Sequence, residues 1–354
     1  MMMKYLAIVG VSCFLAFFIS HTIASAQPAT QTSTNAVTSA DGQVTYASPG
    51  AFNTETSLAL WGDASRAREM PVKLYFPVIN SAMAPATKFP VILFSHGLGG
   101  SREGGKRWAE HWASHGFVVV AIQHPGSDES LWKGVAARDI ASSMKAGMTF
   151  TNLALRVGDV HFVIDEVFRR MALGEMPFAN ADPKRLGMSG HSFGAQTTLS
   201  VVVQKPPLSG GKSGLDSRIS AAVAFSPNAR NKTNLERQFG DIKLPFFSIT
   251  GSDDGSILDD GTKPEHRRLP YENMVPGQKY LAVFDGGDHM VFGGHGLGLR
   301  RPETVRDKEI QAGVMAGTLA FWNATLKQDV TARRWLEQGG FQASMGSKDT
   351  FEQK

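Results

Sequence analysis

Ser192 is the residue whose setting best suits covalent chemistry. It stands in Gly190-His191-Ser192-Phe193-Gly194, the only G-x-S-x-G pattern of the chain, where a predicted strand gives way to a predicted helix. A serine hydroxyl is a weak nucleophile until a base reaches it, and a sharp strand-to-helix turn holds its oxygen clear of the backbone. Glycines on both sides permit the close packing that this turn requires. The sequence therefore predicts that Ser192 is a nucleophile.

His289 is the predicted general base. It lies in Asp285-Gly286-Gly287-Asp288-His289-Met290, after the last predicted strand and before the final long helix. A base has to come within hydrogen-bond reach of the serine hydroxyl, and this position brings His289 to the same edge of the sheet as Ser192. Among the ten histidines of the chain, His295 in the following Gly-rich segment is the nearest alternative.

A carboxylate is needed to accept the other N–H of the imidazole, to fix its tautomer and to favour the imidazolium that forms during reaction. The turn Thr250-Gly251-Ser252-Asp253-Asp254-Gly255 follows a predicted strand and offers two carboxylates. The spacing from Gly251 favours Asp254, whereas Asp253 would suit a turn one residue shorter. Both stay open at this point, with Asp254 preferred.

Two backbone N–H groups are predicted to bind the oxyanion of a tetrahedral intermediate. Leu98 lies in the Gly-rich loop Ser95-His96-Gly97-Leu98-Gly99-Gly100, directly after a strand, and Phe193 follows the nucleophile at the start of a helix. Free amides and the positive end of the helix dipole favour negative charge there. An oxyanion loop followed by serine, aspartate and histidine is the chain order expected of an α/β-hydrolase.

The elements that must position these residues alternate along the chain. Predicted strands are Met70–Phe76, Phe89–Phe94, Phe117–Ile122, Arg185–Met188, Ile219–Phe225, Leu244–Thr250 and Lys279–Phe284. Predicted helices are Lys106–Ser114, Asn152–Met171, Ala195–Gln204 and Glu303–Leu326. The alternation predicts an α/β fold with a mostly parallel central sheet, helices on both faces and small insertions over the active site. Its active site is expected at the carboxyl ends of the strands.

Less regular segments are predicted as insertions that border a pocket, namely Pro125–Met148, Lys205–Asp216 and Ser226–Gly240. Within the first of them, three large side chains are candidates either for the lining of an acyl pocket or for core packing. They are Trp132, Met144 and Met148.

The chain is predicted to consist of a signal peptide, a linker, one hydrolase domain and a polar tail. Residues 1–26 carry an apolar run and end in Ala24-Ser25-Ala26, a pattern typical of export to the periplasm or the medium with no membrane anchor left after cleavage. Residues 27–48 are Ala-, Thr- and Ser-rich and predict a flexible linker. The hydrolase domain is predicted over residues 49–340, and residues 341–354 are expected to fray.

Composition excludes several classes of function. The formal net charge is +4 and the basic residues are scattered, so nucleic-acid binding is not expected. Cys13, within the predicted signal peptide, is the one cysteine, and no H-E-x-x-H or paired-Cys motif is present, so neither a metal nor a cofactor is predicted. The expected partner is a small-molecule ester, and the oligomeric state stays open.

From about Val72 to Trp322 the chain resembles the α/β-hydrolase superfamily, within it the bacterial dienelactone-hydrolase-like proteins related to platelet-activating-factor acetylhydrolase. The residues that carry this resemblance lie at 95–100, 113–119, 124–127 and 159–165, besides the motifs above. The resemblance implies a serine esterase with Ser192 as nucleophile, Asp254 as acid, His289 as base, and Leu98 with Phe193 as oxyanion donors. An amidase, peptidase or lipase on the same scaffold, and an exported binding protein without turnover, are the alternatives.

Overall fold

The computed structural model describes residues 45–79, 88–203, 214–229, 232–257, 261–294 and 301–354. These residues belong to one unit that runs from Asn35 to Lys354. The predicted signal peptide, most of the predicted linker and the alternative base His295 lie outside the described residues.

Nine strands of the described residues form one mixed sheet. In chain order they are β1 (Thr54–Asp63), β2 (Arg68–Pro77), β3 (Phe89–Ser95), β4 (Val118–Ile122), β5 (Ala181–His191), β6 (Ile219–Phe225), β7 (Phe246–Asp253), β8 (Lys279–Asp288) and β9 (Thr350–Gln353). Their order across the sheet is β1-β2-β4-β3-β5-β6-β7-β8-β9. The six strands from β4 to β8 in this order are parallel, and the pairings at both edges are antiparallel. The predicted α/β-hydrolase fold is confirmed.

Helices connect the parallel strands and cover the sheet. They are α1 (Lys106–Ser114), α2 (Ile140–Gly147), α3 (Phe150–Ala172), α4 (Phe193–Val201), α5 (Leu235–Phe239), α6 (Leu269–Glu272), α7 (Val305–Leu326), α8 (Val330–Glu337) and α9 (Gly340–Ser344). Short 3₁₀ turns lie at Glu129–Leu131, Ala137–Asp139, Phe178–Asn180, Pro264–Arg267 and Val291–Gly293. No helix in the described part of the chain has the length and apolar character needed to cross a membrane.

The unbroken apolar strands are explained by a core on each face of the sheet. Successive residues of a strand point to opposite faces. In β3, Ile92 and Phe94 pack in the cluster that contains α1 and α7, while Val91 and Leu93 pack in the cluster that contains α3 and α4. Every residue of β3 is therefore buried, as expected for a central parallel strand.

The predicted fraying of residues 341–354 is wrong. Strand β9 pairs antiparallel with β8, and Phe341 and Phe351 pack on the core. Arg306 on α7 forms an ion pair with Asp349, just ahead of the strand. The short polar sequence carries no strand pattern of its own, so its order depends on the edge that β8 offers.

The first described residues also belong to the packed domain, although residues 27–48 are predicted as a linker. Tyr46 is buried, with its ring centroid 4.6 Å from that of Trp335. Its carbonyl oxygen accepts a hydrogen bond of 2.9 Å from His111 Nε2. The packed domain therefore begins ahead of residue 49.

Candidate active site

Ser192 occupies a strained turn between β5 and α4. Its backbone angles are φ 56° and ψ −114°, outside the helical and extended regions that a residue with a Cβ prefers. The Ser192 N–H donates a hydrogen bond of 2.9 Å to Phe225 O on β6, which anchors the turn to the sheet. Such strain persists only where the surrounding structure enforces it, and it is concentrated at functional sites.

The two glycines of the G-x-S-x-G pattern are required because neighbouring backbone lies too close for a side chain. A Cβ at Gly190 would stand 2.4 Å from Gly194 O, and a Cβ at Gly194 would stand 1.9 Å from Ser95 O. Both distances are far below van der Waals contact. The close approach joins the serine turn to the end of β3, where the oxyanion loop begins.

His289 connects Ser192 to Asp254. Its Nε2 atom lies 2.9 Å from Ser192 Oγ, and its Nδ1 atom lies 2.7 Å from Asp254 Oδ1. A carboxylate only accepts, so Nδ1 donates to Asp254 and Nε2 is left to accept from the serine hydroxyl. The structure thus brings together the predicted nucleophile, base and acid in one hydrogen-bonded chain.

Asp254, and not Asp253, faces His289. Asp254 is completely buried, and its second oxygen, Oδ2, accepts a hydrogen bond of 2.7 Å from Thr250 Oγ1. Asp253 is exposed and accepts from Ser252 Oγ. Of the two carboxylates that the sequence leaves open, Asp254 is therefore the one that contacts the imidazole.

Arg267 is a buried cation beside this chain that no sequence motif indicates. Its Nε donates to Asp254 O at 3.1 Å and lies 3.3 Å from Asp254 Oδ1, while its Nη1 donates to Ser226 O at 3.1 Å. Its Nη2 is 3.2 Å from His289 Nδ1, whose proton is already directed at the carboxylate. Arg267 fixes the loop that carries Asp254 and adds positive charge beside the carboxylate.

The backbone around His289 is held from two directions. Asp288 Oδ1 accepts hydrogen bonds of 3.0 Å from the N–H groups of Met290 and Val291, and Asp288 Oδ2 lies 2.9 Å from Arg301 Nη2. On the other side, His191 Nε2 donates to His289 O at 2.9 Å. These contacts orient the imidazole before any substrate binds.

The two residues whose amides are the predicted oxyanion donors, Leu98 and Phe193, line the same cavity as Ser192. Among the described residues, neither the N–H of Leu98 nor that of Phe193 has a hydrogen-bond acceptor. The loop that carries Leu98 is held by the hydrogen bonds of Gly99 N–H to Ser127 O, at 3.0 Å, and of Gly100 N–H to Gly97 O, at 3.1 Å. Neither amide is therefore used by a hydrogen bond within the described residues.

The cavity has a volume of about 1490 Å³ and opens beside Ser192. The insertion after β4 supplies most of its apolar wall. Trp132 Nε1 donates to Gly99 O at 2.6 Å, which ties this wall to the oxyanion loop. The apolar wall is formed by Trp132, Ile140, Met144, Met148, Phe150 and Leu153, and polar lining comes from Gln196, Asn228, Lys232 and His266.

Among the described residues, no group of three or more His, Cys, Asp or Glu side chains is placed to hold a metal ion. The chemistry available at this site is that of the serine hydroxyl, the imidazole, the carboxylate and the two amides.

Comparison with known proteins finds similarity over part of the chain. The family model described as platelet-activating factor acetylhydrolase, isoform II, matches residues 69–149. The chain is 30% identical over 140 residues to a probable 1-alkyl-2-acetylglycerophosphocholine esterase of Arthroderma benhamiae, an alignment that covers 38% of this chain and 30% of that protein. It is 45% identical over 51 residues to a platelet-activating factor acetylhydrolase of Cavia porcellus, covering 14% of this chain and 11% of that protein.

These matches confirm the predicted resemblance to platelet-activating-factor acetylhydrolases, and they leave the dienelactone-hydrolase likeness a prediction. The chain spans less than a third of the length of either relative. The family model covers β2 to the end of α2, including the oxyanion loop, and ends before Ser192. The family match therefore does not include Ser192, Asp254 or His289, whose arrangement is observed in the structure.

Proposed function

We propose that the protein is a serine hydrolase that cleaves carboxylic esters through an acyl-enzyme intermediate. The hydrogen-bonded chain from Ser192 Oγ through His289 to Asp254 carries this proposal, because it supplies a nucleophile, a base and an orienting carboxylate at distances of 2.9 and 2.7 Å. The similarity to proteins named as an esterase and an acetylhydrolase supports the same reaction class.

In the acylation step, Ser192 Oγ attacks the ester carbonyl carbon while its proton passes to His289 Nε2. The electron pair of the carbonyl bond moves to oxygen, and the N–H groups of Leu98 and Phe193 donate to this oxyanion. Each such donor is worth roughly 10²- to 10³-fold in rate. The imidazolium that forms is stabilised by the Asp254 carboxylate.

Collapse of the tetrahedral intermediate breaks the bond to the alcohol oxygen, which takes the proton from His289 Nε2 as it leaves. A water molecule then gives a proton to the same nitrogen and attacks the acyl carbon. The second tetrahedral intermediate releases the acid and returns the proton to Ser192 Oγ. Acylation and deacylation use the same groups, and in each step His289 acts first as a base and then as an acid.

The substrates that we propose are small, uncharged esters with a short acyl group. One relative is named an acetylhydrolase, and the other is named an esterase of 1-alkyl-2-acetylglycerophosphocholine. The wall built from Trp132, Met144 and Met148 offers apolar surface beside Ser192, which suits an apolar portion of the substrate.

The proposal is tested with p-nitrophenyl esters of increasing acyl length, p-nitroanilide amides and a fluorophosphonate probe. We expect turnover of acetyl to butyryl esters, slower turnover of long acyl chains and of amides, and probe labelling of Ser192. Ser192→Ala should lose both turnover and labelling, whereas Ser220→Ala, at an exposed position of β6, should keep both. Full turnover in Ser192→Ala would refute the proposal, and absence of labelling in the wild type would favour a binding protein.

We also propose that the protein acts outside the cytoplasm, from the apolar run Tyr5 to Ile19 and the small residues Ala24-Ser25-Ala26. N-terminal sequencing of the protein recovered from periplasm and medium tests this, with a mature terminus at Gln27 expected. Recovery of the intact N-terminus in the cytoplasm would contradict it.

A further inference from the structure

Arg156 on α3 is completely buried beneath the oxyanion loop. Its Nη1 donates to His96 O at 2.7 Å, its Nε donates to Ser127 Oγ at 2.8 Å, and its Nη2 lies 3.2 Å from Ser127 O and 3.4 Å from Gly97 O. It forms no ion pair with any carboxylate of the described residues. Its Nη2 also lies 3.3 Å from His96 Nδ1. A buried cation without a paired carboxylate is costly to retain, so its presence here indicates a role.

Gly97 O and the N–H of Leu98 belong to the same peptide group. Because a peptide is planar, a partner that holds its oxygen also fixes the direction of its N–H. Three donors hold Gly97 O: the N–H of Gly100 at 3.1 Å, within the loop, and two side chains, His96 Nδ1 at 2.6 Å and Arg156 Nη2 at 3.4 Å. Hydrogen bonds to the carbonyl also polarise the peptide and strengthen its N–H as a donor.

The tautomer of His96 is fixed by the same network. The backbone N–H of His124 donates to His96 Nε2 at 3.0 Å, which leaves the proton on Nδ1 and directs it at Gly97 O. Burial, and next the charge of Arg156, hold the pKa of His96 well below its ordinary value. His96 is therefore neutral at physiological pH and keeps this donor geometry.

Arg156 also contacts the residue that carries the second oxyanion donor. Its guanidinium carbon lies 4.5 Å from the ring centroid of Phe193, in a cation–π contact. One side chain thus supports the peptide of Leu98 through its carbonyl and the residue Phe193 through its ring. Burial lowers the pKa of Arg156 to about 9, so the group remains a cation at neutral pH.

Behind Arg156 lies a second serine, histidine and aspartate arrangement that serves as support. Ser95 Oγ donates to His124 Nε2 at 2.9 Å, and His124 Nδ1 lies 3.1 Å from Asp159 Oδ2. All three side chains are completely buried, and Ser95 is not part of the cavity lining, so no substrate reaches its hydroxyl. Arg66 and Arg68 bind the far side of Asp159, which anchors the network to the start of β2.

We propose that Arg156 is a positioning residue of the oxyanion hole, which aims the N–H of Leu98 through Gly97 O, supports Phe193 through its ring and presents a fixed positive charge to the developing oxyanion. This inference rests on the proposed ester hydrolysis. A positive charge in a buried, water-poor setting acts on a nearby anion more strongly than it would in water.

The test compares Arg156→Met, Arg156→Lys and the control Arg218→Met, which removes an arginine paired with Asp165 and Asp216 away from the site. The measurements are kcat and KM with p-nitrophenyl acetate and inhibition by an alkyl trifluoromethyl ketone, whose adduct with Ser192 places an oxyanion in the hole. For Arg156→Met we expect kcat to fall about 100-fold with KM changed less than about threefold. The inhibition constant of the ketone should rise in proportion to the loss of kcat/KM across the series.

Arg156→Lys keeps the charge but cannot bridge His96, Gly97 and Ser127 at once, so about a tenfold loss of kcat is expected. It also serves as the test variant should Arg156→Met not fold. A folded Arg156 variant with wild-type kcat would overturn the proposal. So would a variant in which only KM changes while the inhibition constant of the ketone stays at the wild-type value. A wild-type protein that neither hydrolyses the ester nor reacts with a fluorophosphonate would instead refute the ester-hydrolase function itself.

Discussion

Thr250 Oγ1 donates a hydrogen bond of 2.7 Å to Asp254 Oδ2, the carboxylate oxygen turned away from His289. Thr250 is near the end of β7 and Asp254 lies in the turn that follows, so the strand itself fixes the plane of the carboxylate. With Oδ2 held by the strand, Oδ1 is directed at the imidazole at 2.7 Å. The orientation of the base thus depends on a side chain that no substrate touches.

Thr250→Val tests this dependence, because valine keeps the shape of threonine and removes the donor. We expect kcat for p-nitrophenyl acetate to fall roughly 2- to 10-fold, the effect of losing one net hydrogen bond, with KM little changed. Steady-state kinetics on the folded variant measures it. An unchanged kcat would show that Arg267 alone orients Asp254.

Asp254→Asn and Asp253→Asn form a matched pair of adjacent substitutions. Asparagine at 254 presents a donor or a weaker acceptor to His289 and favours the wrong tautomer, so kcat should fall roughly 10³- to 10⁴-fold. Asparagine at 253, an exposed position, should leave kcat within about twofold. Equal losses in the two variants, measured by kcat/KM, would contradict the assignment of the acid.

Gly194→Ala is expected to prevent formation of the serine turn. The added methyl would stand 1.9 Å from Ser95 O, a backbone atom that cannot move without displacing β3. We expect a loss of several kcal/mol in the free energy of unfolding, or no folded protein. Gly62→Ala is the control, since a Cβ there meets nothing within 4 Å, and it should unfold like the wild type in urea.

Stability is expected to fall in mild acid because of buried neutral histidines near the first described residues. Burial, the largest cause, lowers the pKa of His115 from 6.5 to about 4 and that of His111 to about 3. The unfolded chain therefore binds protons before the folded one as pH falls. Below about pH 6.5 each group removes up to about 1.4 kcal/mol of stability per pH unit, until the folded pKa is reached.

His115→Gln separates this titration from the hydrogen bond. Glutamine can retain the donor that His115 Nε2 directs at Ser48 O, at 2.9 Å, but it does not titrate. Urea unfolding at pH 7 and pH 4.5 should show a smaller pH-dependent loss of stability in the variant than in the wild type. Identical losses would mean that His115 does not titrate on unfolding in this range.

The sequence predicts the features of the fold and of the site that depend on neighbouring residues in the chain or on the order of the strands. The glycines around Ser192 reflect contacts with Ser95 and Gly194 that exclude any side chain, and the apolar runs mark strands with a core on both faces. His289 is indicated by its place after the last parallel strand. Since the carboxyl ends of parallel strands share one edge, chain order is enough to bring such residues together.

Other features depend on contacts between distant parts of the chain. Arg156 and Arg267 resemble any arginine in a helix or turn, and only the fold reveals their burial beside the site. The strand β1 is exposed along most of its length, so its short apolar run Leu58–Trp61 does not mark a buried strand, and β9 pairs along the edge that β8 presents. In each case the structural setting of the residue or strand comes from a distant part of the chain, so the local sequence does not indicate it.

The most direct measurement is to quench the protein during turnover of p-nitrophenyl acetate and map the acetylated residue by mass spectrometry. We expect one acetyl group on Ser192 in the wild type and none in Ser192→Ala. In His289→Ala we expect the acetyl group to form on Ser192 more slowly and in a smaller fraction of the molecules. Ester hydrolysis that persists in Ser192→Ala, or an acetyl group formed during turnover on another residue alone, would contradict this account.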